Sequence, residues 1–141
     1  MKPCSFKISG PVSVDALFET RVCLFRANSG AGKTLLLRKV AAYCAANKLD
    51  FMCVDNRTGL MRKPAQEIAE LCSRFACVLL DNTDLYDARS VIKLLVNSNV
   101  KLILAAGHNL SVLTEDCGYY SLDTVDGVLI ARLERRCRTS L

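Results

Sequence analysis

Eight consecutive residues, Ala27-Asn28-Ser29-Gly30-Ala31-Gly32-Lys33-Thr34, carry the clearest chemistry in this sequence. They follow the spacing G-x-x-x-x-G-K-[ST], with Ala27 where the first glycine would stand. Gly30 and Gly32 let the backbone turn through positive φ and come close to an anion. Successive N–H groups at a helix start then form a cradle for phosphate. In that arrangement Lys33 reaches the β- and γ-phosphates of a nucleotide and the Thr34 hydroxyl ligates Mg²⁺. The expected phosphate-binding residues are Asn28, Ser29, Gly30, Ala31, Gly32, Lys33 and Thr34. If position 27 needs positive φ, alanine there costs about 1 kcal/mol.

Such a loop works only between a strand and a helix, and the flanks read that way. Arg21-Val22-Cys23-Leu24-Phe25 reads as a short buried strand. Over residues 33–46, Leu36, Leu37, Val40, Ala41 and Cys44 share one face at helical spacing. Further along, strands are expected at 4–8, 50–54, 76–80, 100–105 and 127–133, with a short one at 119–122. Helices are expected at 64–74, opened by Pro64, and at 86–97. Residues 12–19 fit a strand or a short helical turn, and 108–118 fit a loop with at most one turn of helix. The alternation predicts an α/β fold, a mainly parallel sheet with helices on both faces.

Composition sets the class. A chain of 141 residues, 51% hydrophobic and 23% charged, reads as one globular domain able to bury one core. No apolar run approaches about 18 residues, and the first residues lack the apolar stretch of a secretory signal, so a cytoplasmic protein with no membrane span is expected. None of the eight cysteines forms a C-x-x-C pair, and His108 has no cysteine at zinc spacing. Cys23, Cys44, Cys53, Cys72 and Cys77 fall in apolar patterns and read as small buried hydrophobes in a reducing compartment. The net charge of +5 gathers at Arg132, Arg135, Arg136 and Arg138. That run suits a solvated tail, a nucleic acid, an acidic partner or a neighbour's nucleotide. The scarcity of aromatic residues weakens the nucleic-acid reading.

Through the Gly-rich loop and its flanks, the chain resembles the P-loop NTPase superfamily over about residues 21–133, with 134–141 as a basic tail. The resemblance implies a three-layer α/β/α NTPase fold that binds ATP with Mg²⁺. It makes the loop a Walker A motif and Val78-Leu79-Leu80-Asp81 a Walker B motif, with Asp81 supporting Mg²⁺ at a strand's end. The strand at 50–54, between the two motifs in sequence, is similar to the additional-strand branch that includes ABC, AAA+ and RecA-like ATPases. That branch usually has a catalytic Glu after the Walker B Asp, whereas this chain has Asn82, which is no general base. Asp84, three residues past Asp81, could substitute for that Glu, but the simpler expectation is that it caps the next helix. His108, past the strand at 100–105, sits where the branch places a γ-phosphate sensor. The implied catalytic residues are therefore Lys33, Asp81 and His108. No LSGGQ-like signature precedes Asp81 and no helical lid follows residue 133.

These features point to an ATP-binding protein that hydrolyses slowly alone and is completed by a protein partner or by self-association. Arg132, Arg135 and Arg136 are candidates for an arginine supplied in trans. A non-hydrolysing nucleotide switch or assembly subunit is one alternative. A small-molecule or nucleotide kinase is another, with Asp55, Arg57 and Arg62 placed to hold an acceptor. Against the kinase, residues 108–126 contain no Arg or Lys to form a clamping lid. Asn47-Lys48-Leu49-Asp50 matches a guanine-reading motif in letters, but it lies at the far end of the helix after the loop, about 20 Å from the phosphates. It reads instead as a helix stop at Asn47. Phe6 and Phe18 are the candidates to stack on the base.

Overall fold

The computed structural model describes residues 3–26 and 32–137. The protein is an α/β structure with one mixed, mostly parallel, strongly curled half-barrel sheet of eight strands and, among the described residues, three helices. The strands are β1 (Cys4–Ile8), β2 (Ser13–Phe18), β3 (Val22–Phe25), β4 (Phe51–Val54), β5 (Cys77–Leu80), β6 (Leu102–Ala106), β7 (Cys117–Val125) and β8 (Val128–Arg136). The helices are α1 (Lys33–Ala46), α2 (Ala65–Cys72) and α3 (Ala88–Leu95). Across the sheet the order is β1-β2-β8-β7-β3-β6-β5-β4. β1–β2 and β7–β8 pair antiparallel, and all other neighbours are parallel.

The side chains of β3, β5 and β6 alternate between two cores, as the two-residue period of a strand requires. Cys23, Phe25, Leu79, Leu104 and Ala106 pack with Leu36, Leu37, Val40 and Cys44 of α1. Val22, Leu24, Val78, Leu80, Ile103 and Ala105 pack with Ile68 and Cys72 of α2 and with Val91, Ile92 and Leu95 of α3. Residues from all eight strands reach the α1 cluster, which places α1 in the hollow of the curled sheet. Strands buried on both faces have no polar face to show, hence their continuous apolar runs.

Helix ends follow local chemistry. Gly32 opens α1 in the left-handed region at φ 98°. Asn47 closes it, its side-chain amide donating to the Tyr43 carbonyl at 2.8 Å. The N-K-x-D letters therefore mark a helix stop, as expected. Pro64 immediately precedes α2, and its carbonyl accepts from Glu67 and Ile68. The helix caps differ from expectation at α3. Asp87, not Asp84, caps it, accepting from the Ser90 N–H at 3.2 Å. The Arg21 guanidinium ties down the other end of α3, donating to the carbonyls of Leu95, Val96, Ser98 and Val100.

Residues 13–18, ambiguous in sequence, are strand β2, and the expected short strand at 119–122 is a nine-residue hairpin arm. Residues 107–116 contain no helical turn. All eight cysteines are free, and burial pushes the Cys23 thiol up to about 12 and the Cys72 thiol up to about 11. Cys53, expected inside, is half-buried. Among the described residues no helix is long and apolar enough to cross a membrane.

Candidate functional site

The parallel strands β3 to β7 point the same way, so the loops after β3, β5 and β6 meet at one edge. The chain leaves β3 through α1 to β4 at the far edge of the sheet and returns through β5 to β6 beside β3. From β6 it crosses to β7 on the other side of β3. The junction between β3 and β6 is thus a topological switch point, where crevices at the carboxyl ends of strands take ligands. β4, which separates β3 from β5 in sequence, lies at the sheet edge, and β6 separates them in space.

At that edge the Thr34 hydroxyl, on the first turn of α1, donates to Asp81 Oδ2 at 3.0 Å. Asp81 follows β5 directly and is 8% exposed. Its other oxygen accepts from the Asn82 N–H at 2.9 Å, with Asn82 in the left-handed region at φ 50°. The expected Thr34–Asp81 pair is therefore assembled across 47 residues of sequence. A cleft of about 290 Å³ beside it is lined by Gly32, Lys33, Thr34, Asp81, Asp84 and His108, among others. Lys33 and His108 thus share one cleft with the pair. Asn28, Ser29, Gly30 and Ala31, with Ala27, lie outside the described residues.

Asp84 fills a different role from the expected helix cap. Its two oxygens accept from the backbone N–H groups of His108, at 2.9 Å, and Asn109, at 3.1 Å. Those two N–H groups, His108's first, hold the Asp84 carboxyl below the usual carboxylate range, with smaller help from the charges of His108 and Lys33. Thr83 completes the tie by donating to the Ala106 carbonyl at 3.1 Å. A Cβ on Gly107 would overlap the Thr83 hydroxyl, so this close approach requires glycine. The turn after β5 and the loop after β6 are latched together, and the latch sets the His108 backbone. Sequence reasoning missed Thr83 and Gly107. The available signal was a glycine directly after an apolar strand.

Two larger clefts flank this one. The first, about 420 Å³, lies between α1 and the ends of β4 and β5 and shares Thr34, Asp81 and Asn82 with it. Arg38, Asp55, Asn56 and Arg57 stand around it. The second, about 860 Å³, shares His108 and runs over β7 and β8. There the Arg26 and Arg135 guanidiniums lie 4.0 and 4.7 Å from the Tyr119 ring centre. The candidate base-stacking residues do not serve: Phe6 and Phe18 are 5% and 0% exposed, inside a ring cluster with Tyr43, Phe25 and Tyr120. Arg132 is engaged within the chain, paired with the Asp15 carboxylate at 2.9 Å and donating to the Asp15 carbonyl.

No family model matches the chain, and no curated protein or solved structure matches it significantly.

Proposed function

We propose that the chain is a minimal P-loop domain of the three-layer, additional-strand type that binds Mg-ATP and hydrolyses it slowly unless a partner or a second copy completes the site. The observation that carries this reading is the Thr34–Asp81 contact at the sheet's switch point, with Lys33 beside it in one cleft. A hydroxyl and a carboxylate are hard oxygen donors, and Mg²⁺ is usually held by one or two such protein groups plus phosphates. Thr34 and Asp81 would hold the ion, which would neutralise charge on the β- and γ-phosphates. Lys33 would bind those phosphates, and the loop 27–32 would wrap them.

Slow turnover follows from what surrounds the pair. Asn82 cannot take a proton from water. Asp84 spends both oxygens on the His108 and Asn109 N–H groups, and its lowered pKa makes it a weak base. His108 is exposed at the cleft rim, where a γ-phosphate would be sensed. On this reading the protein acts in the cytoplasm.

The test is Mg-ATP binding with Lys33→Ala, measured by calorimetry, together with ADP release across a protein concentration series. The variant should lose about 100-fold in affinity, the worth of a charge-assisted contact to phosphate. Unchanged affinity would remove the proposal. Turnover rising faster than linearly with protein would support completion by self-association, and binding without turnover would favour the nucleotide switch.

A kinase is the second reading, favoured by the 420 Å³ cleft that meets the phosphate cleft at Thr34 and Asp81. Its floor is apolar, at Leu37, Ala41 and Leu79, and its rim carries Arg38 and Arg57. That combination suits a small anionic acceptor. ADP release that depends on an added acceptor would establish it.

A further inference from the structure

The antiparallel register pairs Gly118 with Arg136, so Cys117 and Cys137 face each other at the open end of the β7–β8 hairpin. The Cys137 N–H donates to the Cys117 carbonyl at 2.8 Å. Directly opposed residues in such a pair keep their Cα atoms about 4.5–5.5 Å apart, within the span of a disulfide. The Cys137 thiol donates to the Cys117 sulfur at 3.1 Å. Cys117 is 2% exposed, whereas Cys137 is half-buried, so a reagent from solvent meets Cys137 first and finds Cys117 behind it.

No other cysteine combines these features. Cys44 and Cys77 are neighbours, but both are buried in the α1 core. Cys23 and Cys72 are fully buried. Cys4 and Cys53 are half-buried, but their strand partners are Phe18 and Leu79.

We propose that Cys137 and Cys117 form a reversible oxidation site, closed to a disulfide by thiol–disulfide exchange with a small-molecule disulfide. The Cys137 thiolate attacks one sulfur of the reagent, whose S–S bond breaks and whose other half leaves as a thiolate that takes up a proton. Cys117 then gives its proton to solvent and attacks the Cys137 sulfur of the mixed disulfide, expelling the second reagent thiolate, which is protonated in turn. Two cysteine thiols are oxidised and one reagent disulfide is reduced to two thiols. Burial, with the Cys137 contact, pushes the Cys117 thiol well up, so the second step is the slower one and the Cys137 adduct has a lifetime. The bond joins the strand ends that carry Tyr119 and Arg135, and so pins the cation–π stack in the cleft next to His108. This inference stands independently of nucleotide binding.

The test uses the full chain in glutathione buffers of increasing disulfide content, quenched with acid, alkylated and mapped by mass spectrometry. The expected result is a Cys117–Cys137 link with the other six cysteines alkylated, reversed by dithiothreitol. In Cys117→Ser a glutathione adduct should accumulate on Cys137. In Cys137→Ser the rate of adduct formation on Cys117 should fall at least about 10-fold, following its burial. The wild-type map needs no variant to fold. A link between other cysteines first, or no Cys117–Cys137 link in large excess of glutathione disulfide, would overturn the proposal.

Discussion

The two halves of the sheet are fastened by different forces. In β3, β6 and β5 every residue is buried, and α1 covers one face while α2 and α3 cover the other. The polar groups of that half sit at its carboxyl edge and are tied across loops, Thr34 to Asp81, Thr83 to Ala106, and Asp84 to His108 and Asn109. In the other half, β2 and the arms of β7 and β8 alternate between buried and half-buried positions, and Asp123 and Thr124 are exposed. Rings fasten this half: Phe18 packs against Phe6, Phe25 and Tyr120. The Tyr120 hydroxyl accepts from the N–H groups of Glu19 and Thr20, and an Arg132–Asp15 pair joins β8 to β2. The comparison teaches a division of labour. Where apolar burial on two faces secures the strands, the edge is free to hold a polar network for chemistry. Where only one face is covered, aromatic packing and surface pairs do the fastening.

The largest expected effect follows from that contrast. Phe18→Ala should cost about 3–5 kcal/mol of stability in urea unfolding, the range for emptying a buried ring site. On the proposed reading, the Mg-ATP affinity of the folded protein should stay within a few-fold of the parent. A large loss of affinity at modest destabilisation would show that the two halves are coupled, against the division drawn above.

A smaller effect is expected inside the site half. Gly107→Ala drives a methyl into the Thr83 hydroxyl and should cost about 1–3 kcal/mol, as overpacking does. Adding Thr83→Ala makes room for the methyl but leaves the Ala106 carbonyl without that donor. The double variant should therefore be more stable than the sum of the two single losses. Additive losses would mean that the close approach of the two loops is not what demands glycine here.

The parts that sequence reveals well are local ones. α1 spans residues 33–46 as its apolar spacing predicts, because four turns of one pattern outweigh any single tertiary contact. Thr34 and Asp81 were legible because each belongs to a short motif that ends a strand or begins a helix. β2 was not, since six alternating residues fit two readings and, although β1 is adjacent in sequence, its other partner β8 lies more than a hundred residues away. The hairpin carries its own local signal: Asp126 and Gly127 both take positive φ, at 51° and 77°, and Asp-Gly is a strong tight-turn signal. The role of Asp84 was illegible for another reason. Its partners are main-chain N–H groups 24 and 25 residues on, and backbone donors leave no mark in a sequence.

Asp84 also gives the finest test of the comparison, through pH. Its native carboxyl titrates below the ordinary value of 3.8, so the unfolded chain takes up this proton first as the pH falls. Its contribution is therefore full above about pH 5 and declines as the pH drops through the ordinary carboxyl value toward the lower native one. Asp84→Asn keeps one acceptor oxygen and turns an amide donor toward an N–H, so at pH 7 it should lose about 1 kcal/mol, less than a buried charge-assisted bond because solvent screens this exposed carboxylate. The gap between parent and variant should narrow toward about pH 3, because the parent is then losing its own carboxylate. Asp87, whose carboxyl is also held low by its contacts with Ser90, titrates alike in both proteins and cancels from the difference. Urea midpoints at the two pH values measure the gap. A gap that stays constant would mean that the latch does not depend on the Asp84 charge, and the edge network would then be held by loop packing, as the other half of the sheet is held by its rings.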